Sequence, residues 1–257
     1  MPVPDRSLTV TLDGEPLPFT GRTRLRGKDN LSLFPALFTL ELWNLPEEYF
    51  LRLFRCRQVS VSRGDACLVS GAVPDVFRHP EKDGTVTTAA ISLSLGLWES
   101  VVSLAVPAGT SVPEAVRRIL SASGTGIRLL GGGDGSSRPA VFPRARSFFG
   151  RAPECIDSVL SAVSARAMLT PSGLMIVPPG GLPDPVLIRE NDLTDVPSFA
   201  GSGRLMVLSA AVSGWRPGQT VEVECPEVAA RGMITERSVD ADTASGAWKC
   251  ELVVELI

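Results

Sequence analysis

Leu37-Phe38-Thr39-Leu40-Glu41-Leu42-Trp43 alternates at period two and stops at Asn44-Leu45-Pro46, which makes it a strand with one face for a core. Such a strand needs partners, and the flanking sequence offers them. Leu8–Leu12 alternates in the same way and ends at the Asp13-Gly14 turn; Gln58–Ser62 and Thr85–Leu95 continue the pattern. One helix interrupts the series: Pro46 opens it, Glu47 and Glu48 complement its dipole, and Tyr49, Phe50, Leu53 and Phe54 share a side. Residues 1–105 therefore read as a β-region with a short helix near 46–54 on its flank.

Downstream the periodicity changes. Pro113-Glu-Ala-Val-Arg-Arg-Ile-Leu-Ser-Ala-Ser123 and Pro153-Glu-Cys-Ile-Asp-Ser-Val-Leu-Ser-Ala-Val163 align without gaps at an offset of 40 residues. Each places apolar residues on one helical face, which predicts helices near 112–122 and 153–165. Gly131–Ser137 between them reads as a flexible loop. Ala167–Val177 reads as a hairpin around Pro-Ser-Gly, and Pro178–Pro183 as a linker. The tail is β again, with strand candidates Val186–Glu190, Leu205–Ser213, Thr220–Glu224, Met233–Ser238 and Trp248–Leu256, and turns at Arg216–Gln219 and Asp240–Thr243. The expected architecture is two antiparallel β-barrel or sandwich units, 1–105 and 181–257, around an α+β middle, 106–180.

Composition agrees with a β-rich globular chain. The 257 residues are 44% hydrophobic and 21% charged, with 24 Gly, 21 Pro and a single Tyr. The longest apolar stretches, Ala89–Leu97 and Leu205–Val212, are broken by Ser or Gly and are far shorter than the roughly 20 residues a bilayer crossing needs. Met1–Arg6 has no basic segment followed by an apolar one, which predicts a chain made in a cytoplasm. Five cysteines without C-x-x-C predict reduced, buried thiols. Charge is uneven: residues 101–180 carry eight Arg against four acids, residues 181–257 six basic against twelve acidic side chains. Opposite fields of this kind suit subunit contact.

Residue types that carry chemistry are scarce. His79 is the sole histidine and lies in Phe77–Gly84, read as a polar hairpin tip, so it is expected at the surface. Asp192/Asp195 and Asp240/Asp242 read as solvated turn formers. Gly131–Gly135, Gly124–Gly126 and Gly201–Gly203 lack a phosphate-binding context and read as turn glycines. Arg144-Ala-Arg-Ser-Phe-Phe-Gly-Arg151 has the basic and aromatic content of a nucleic-acid contact, but Phe148 and Phe149 precede the second helix and are expected to staple its entry. No catalytic, cofactor-binding or metal-ligating residue is assigned.

The order of pieces carries more than any motif. A strand and turn, then Phe38–Leu45, a short helix, Val59-Ser-Val-Ser-Arg-Gly64 and Cys67-Leu-Val-Ser-Gly-Ala-Val73, resembles the opening of phage baseplate hub proteins, the late-control protein D-like hubs of tailed phages and related injection systems. The resemblance continues through the Pro113 and Pro153 helices and through Val207-Leu-Ser-Ala-Ala-Val-Ser-Gly-Trp-Arg-Pro-Gly-Gln219 into Thr220–Glu224, covering most of the chain. It implies a non-enzymatic structural hub of a phage or prophage-derived contractile tail. In such a hub each subunit supplies two tail-tube-like β-barrels, and a homotrimer forms a pseudo-sixfold ring between a hexameric tube and a trimeric spike. The implied partners are further copies of the chain, the tail spike, and the tube and tape-measure proteins, with no cofactor, no nucleic-acid specificity and no membrane insertion. The implied place is the virion baseplate, assembled in the host bacterial cytoplasm. The alternatives are a tail-associated cell-wall or carbohydrate-acting enzyme, marked by converging carboxylates, and a carbohydrate-binding module, marked by an exposed aromatic platform.

Overall fold

Period-two burial marks the strand that anchors the fold: in Leu37–Trp43, Phe38, Leu40 and Leu42 are fully buried while Thr39 and Glu41 are not. The computed structural model describes residues 6–93, 95–131, 140–170, 172–201, 204–244 and 247–257. The expected 131–137 loop beyond Gly131, Pro171 of the hairpin turn, and Ser202 and Gly203 lie outside the described residues. The elements begin with β1 (Thr9–Leu12), β2 (Glu15–Pro16), β3 (Thr23–Asn30), β4 (Leu37–Trp43), α1 (Glu47–Arg55), β5 (Gln58–Arg63), β6 (Ala66–Glu81), β7 (Gly84–Ser92) and α2 (Leu95–Glu99). The middle of the chain forms β8 (Val101–Val106), α3 (Val112–Ser123), β9 (Leu129–Gly131), β10 (Arg146–Arg151), α4 (Ala152–Ser161), β11 (Arg166–Thr170) and β12 (Gly173–Val177). Then follow β13 (Val186–Arg189), β14 (Ser198–Ala200), β15 (Leu205–Ala210), β16 (Thr220–Cys225), β17 (Val228–Asp242) and β18 (Trp248–Leu256).

The protein is mainly β, as expected. Among the described residues, N- and C-terminal strands join one sheet in the order β14-β15-β18-β17-β3-β4-β7-β6-β5-β1-β2, with β16 branching from β17 and β13 from β16. Every pairing in it is antiparallel except β13 with β16. The seam between the two halves is β3 against β17, from Asn30↔Glu236 to Arg24↔Asp242. The path ends at β2 and β14, so no barrel closes within it. One core spans both halves, from Val10 to Ile91 and from Ile188 to Val254. A second core fills the middle, where α3 and α4 pack on each other and on the β8–β10 pair and the β9, β11 and β12 sheet. Leu31, Met168, Val177 and Met233 knit the two cores at their junction.

Local chemistry explains the helices. Glu47 and Glu48 open α1, Arg52 and Arg55 close it, and Leu53 is its buried anchor. Ser111 caps α3 by accepting from the Glu114 N–H, and Gly124 ends it in the left-handed region at φ 66°. Several expected boundaries are corrected. The Thr85–Leu95 strand stops at Ser92 because its last rung is Leu37↔Ser92, where β4 begins, and Leu95–Glu99 turns into helix. The second middle helix ends at Ser161 rather than 165, with Ser164 left-handed at φ 54°. The Phe77–Gly84 tip shrinks to Lys82 and Asp83, because Phe77–Glu81 continue β6 in register with β7.

Candidate functional site

Arg22-Thr-Arg-Leu-Arg-Gly-Lys28 puts a cation at every second position, so Arg24, Arg26 and Lys28 project from one face of β3, with Arg22 just before the strand. Glu236-Arg-Ser-Val-Asp-Ala-Asp242 places three acids, Glu236, Asp240 and Asp242, on one face of β17 with Ser238 between them, and the antiparallel register sets the two rows side by side. Arg24 donates through Nε and Nη2 to the two Asp240 carboxylate oxygens at 3.0 and 2.9 Å. Arg22 grips Asp242 likewise at 3.2 and 2.7 Å, with its guanidinium 4.1 Å above the Trp43 ring. Arg26 reaches Glu41 at 2.6 Å, Lys28 pairs with Glu236, and Lys249 with Glu251 at 2.7 Å. Hydrogen bonding to these carboxylates holds Arg22 and Arg24 more firmly charged than usual. Asp242, expected as a solvated turn former, is instead a buried strand residue at 2% exposure, while each of the more exposed pairs adds little stability alone. Together they neutralise the face cation by cation. The turn expected at Asp240–Thr243 is corrected here, because β17 keeps pairing with β3 through Asp242 and the bend starts at Thr243.

Beneath this face lies a second set of arginines. The extra residue Thr235 forms a bulge in β17, and beyond it Arg237, Val239 and Ala241 face inward. Arg237, 1% exposed, donates to both Asp29 oxygens at 2.8 and 2.7 Å and to the Leu68 carbonyl at 2.9 Å. Arg216 donates to the Cys67 carbonyl at 2.8 Å, and burial, followed by the nearby Arg237 charge, lowers its pKa. Arg63 donates to the Val212 carbonyl. These three side chains tie β5 and β6 to the C-terminal region. Sequence reading missed them; the signal was an arginine at an inward position of Met233–Ser238 and an aspartate at the end of a run of alternating cations.

The residues weighed as chemical candidates do not converge. His79 sits on β6 with Nε2 3.3 Å from Glu81, at the surface as expected. Asp192 accepts from the Arg189 N–H at 2.9 Å, the turn role read for it. Gly124 and Gly126 are turn glycines with positive φ. All five cysteines are free; burial pushes the Cys56 thiol up to about 11 and Cys250 up to about 12. Among the described residues no three His, Cys, Asp or Glu side chains group as metal ligands, and no helix is long and apolar enough to cross a membrane.

The Arg144–Arg151 stretch is also corrected. Arg146–Arg151 is a strand paired with β8, so its two phenylalanines point to opposite faces. Phe148 packs in the core at 6% exposure while Phe149 stands 84% exposed. Val101 on β8 is exposed too, and Arg151 lies 5.0 Å from the Trp98 ring, which stacks on Phe34 at 4.6 Å. A second exposed strip runs through Glu190, Asp195, Val196 and Phe199 to the edge strand β14. What the surface offers is strand edges and apolar side chains in charged surroundings.

No family model matches the chain, and no curated protein matches it in sequence. Solved structures do. A tail protein from Neisseria meningitidis MC58 superposes with a TM-score of 0.69 at 12% identity, covering 97% of this chain and 96% of that one. The fold is that of phage tail proteins. The 43 kDa tail protein of prophage MuSo2 from Shewanella oneidensis matches at 0.63 and 10% identity over 97% of this chain and 96% of its own. The E. coli c3393 protein, a type VI secretion system component described as structurally similar to the T4 tail proteins gp27 and gp5, matches at 0.66 and 12% identity, over 96% of this chain and 76% of its own. The resemblance to tail proteins read from element order is thus borne out in the fold.

Proposed function

We propose that this chain is a structural subunit of a phage or prophage-derived tail, and specifically a hub that joins tail tube to central spike as a ring of three copies. The end-to-end superposition on a tail protein, 97% of one chain on 96% of the other, is the observation that supports this reading. In this proposal 1–105 and 181–257 are the tube-like units and 106–180 the region between them. Copies of the chain, the spike, the tube and the tape-measure protein are its partners, and the baseplate is its place. A non-enzymatic role is supported by the employment of the candidate side chains: Asp240 and Asp242 in ion pairs, Asp192 in a cap, His79 beside Glu81 at the surface. Native mass spectrometry of the chain alone and with the spike protein of the same genome tests it. A trimer that loosens as salt shortens the screening length below roughly 8 Å is the expected result. A monomer that stays monomeric with the spike overturns it.

A further inference from the structure

A cleft of about 610 Å³ opens where elements of the two cores meet. β5, β6 and β7 of the large sheet line one side of it; the start of α2, the segment leading into β9 and the β11–β12 turn line the other. Clefts of this size hold ligands. On the large-sheet side the lining is partly bare backbone. The register of β6 against β7 slips between Ala72 and Asp75, and an added Cβ at Gly71 would come 2.3 Å from the Ser92 carbonyl oxygen. Ser92 itself is 3% exposed, and its hydroxyl makes no hydrogen bond among the described residues although the residue lines the cleft.

The chemistry of the lining is one-sided. Arg57 stands exposed on the large-sheet side and Arg128 on the opposite one, and among the described residues no Asp or Glu lines the cleft. The Asp13 carboxylate accepts from the Arg57 and Gln58 N–H groups at 2.9 to 3.3 Å and is not part of the lining. Leu93, Ile127 and Leu169 add half-buried aliphatic surface, and no aromatic ring is there for a base to stack on. We propose that this cleft receives an acidic peptide segment of another protein, its carboxylates held by Arg57 and Arg128 and its aliphatic side chains by Leu93, Ile127 and Leu169. The Ser92 hydroxyl supplies a hydrogen bond to the peptide backbone. The assignment stands on the cleft and holds whether or not three copies form a ring.

Isothermal titration calorimetry of the full chain tests it, with a short capped peptide alternating Glu and Leu and the same design carrying Lys in place of Glu. The Glu peptide is expected to bind and the Lys peptide not to. Arg57→Gln with Arg128→Gln, both exposed and with folding checked by circular dichroism, is expected to weaken binding about tenfold. Arg144→Gln with Arg189→Gln removes two exposed arginines outside the cleft and is expected to leave binding unchanged, which separates the cleft from the general charge of the surface. Arg57→Glu with Arg128→Glu is expected to turn the preference toward the Lys peptide. A Glu peptide that does not bind, two peptides that bind alike, or equal losses from the two pairs of Gln variants overturns the proposal. A single-stranded oligonucleotide that binds more tightly than the Glu peptide and is lost with Arg57→Gln and Arg128→Gln assigns the cleft to nucleic acid and overturns it as well. None of these results moves the ring reading, which native mass spectrometry decides separately.

Discussion

Asp29 enters the interior with its charge met by Arg237, and Arg237 spends a further donor on the Leu68 carbonyl. Removing one member of a buried pair strands the other. Asp29→Ala or Arg237→Ala is therefore expected to lower stability by about 3–5 kcal/mol in urea denaturation, and Asp29→Leu with Arg237→Met together by much less. The thiols give a pH dependence of definite sign. Burial raises Cys250 from 9.0 to about 12 and Cys56 to about 11. The folded chain thus keeps protons that the unfolded chain releases above pH 9, so their contribution is complete below 9 and is lost as pH climbs toward 11 to 12. Urea midpoints should fall across that window. Cys250→Ala should flatten the fall, and a thiol reagent at pH 8 should leave Cys250 unmodified until the protein unfolds.

Some strands with an apolar stripe were legible outright: β4 and β18 span the stretches their alternation predicts, and α1 and α3 start where Pro and Glu announce them, whereas β17 runs from Val228 to Asp242 rather than over Met233–Ser238 and β15 ends at Ala210 rather than Ser213. β3 was not read, because Thr23–Asn30 offers one large apolar residue, Leu25, among four charges. Its alternation is in charge and becomes meaningful only against the acids of β17, about 216 positions away for Arg24 and Asp240. The ion-paired face was invisible for the same reason: complementarity between distant strands leaves no local signal. At Arg146–Arg151 two adjacent phenylalanines suggested a helix staple, and strand pairing sent them to opposite sides. Gly27 shows how tightly the seam is built. It lies opposite Phe38, and an added Cβ would come 2.3 Å from the ring and 2.9 Å from the Phe38 Cα. Gly27→Ala is expected to cost about 1–3 kcal/mol by overpacking, read as a lowered melting temperature.

At the scale of the whole chain the two terminal regions share one sheet and one core, so neither holds its apolar surface under cover alone. A fragment ending at 105, which lacks β17 beside β3, and a fragment starting at 181, which lacks β3 and the Arg237 partner Asp29, are each expected to aggregate or remain unfolded by circular dichroism. Mixed, they should recover part of the β signal. The seam also sets a clock. Asp29 and Arg237 are 208 positions apart, and at about 5–20 residues per second a ribosome takes roughly 10–40 seconds to deliver the second after the first. Throughout that interval β4, β7, β6 and β5 can pair behind β3 while its other side waits bare, with a carboxylate turned toward a cation not yet made. The final strands to emerge are the ones that close the wait, and a polypeptide halted before them leaves the ribosome with an open edge.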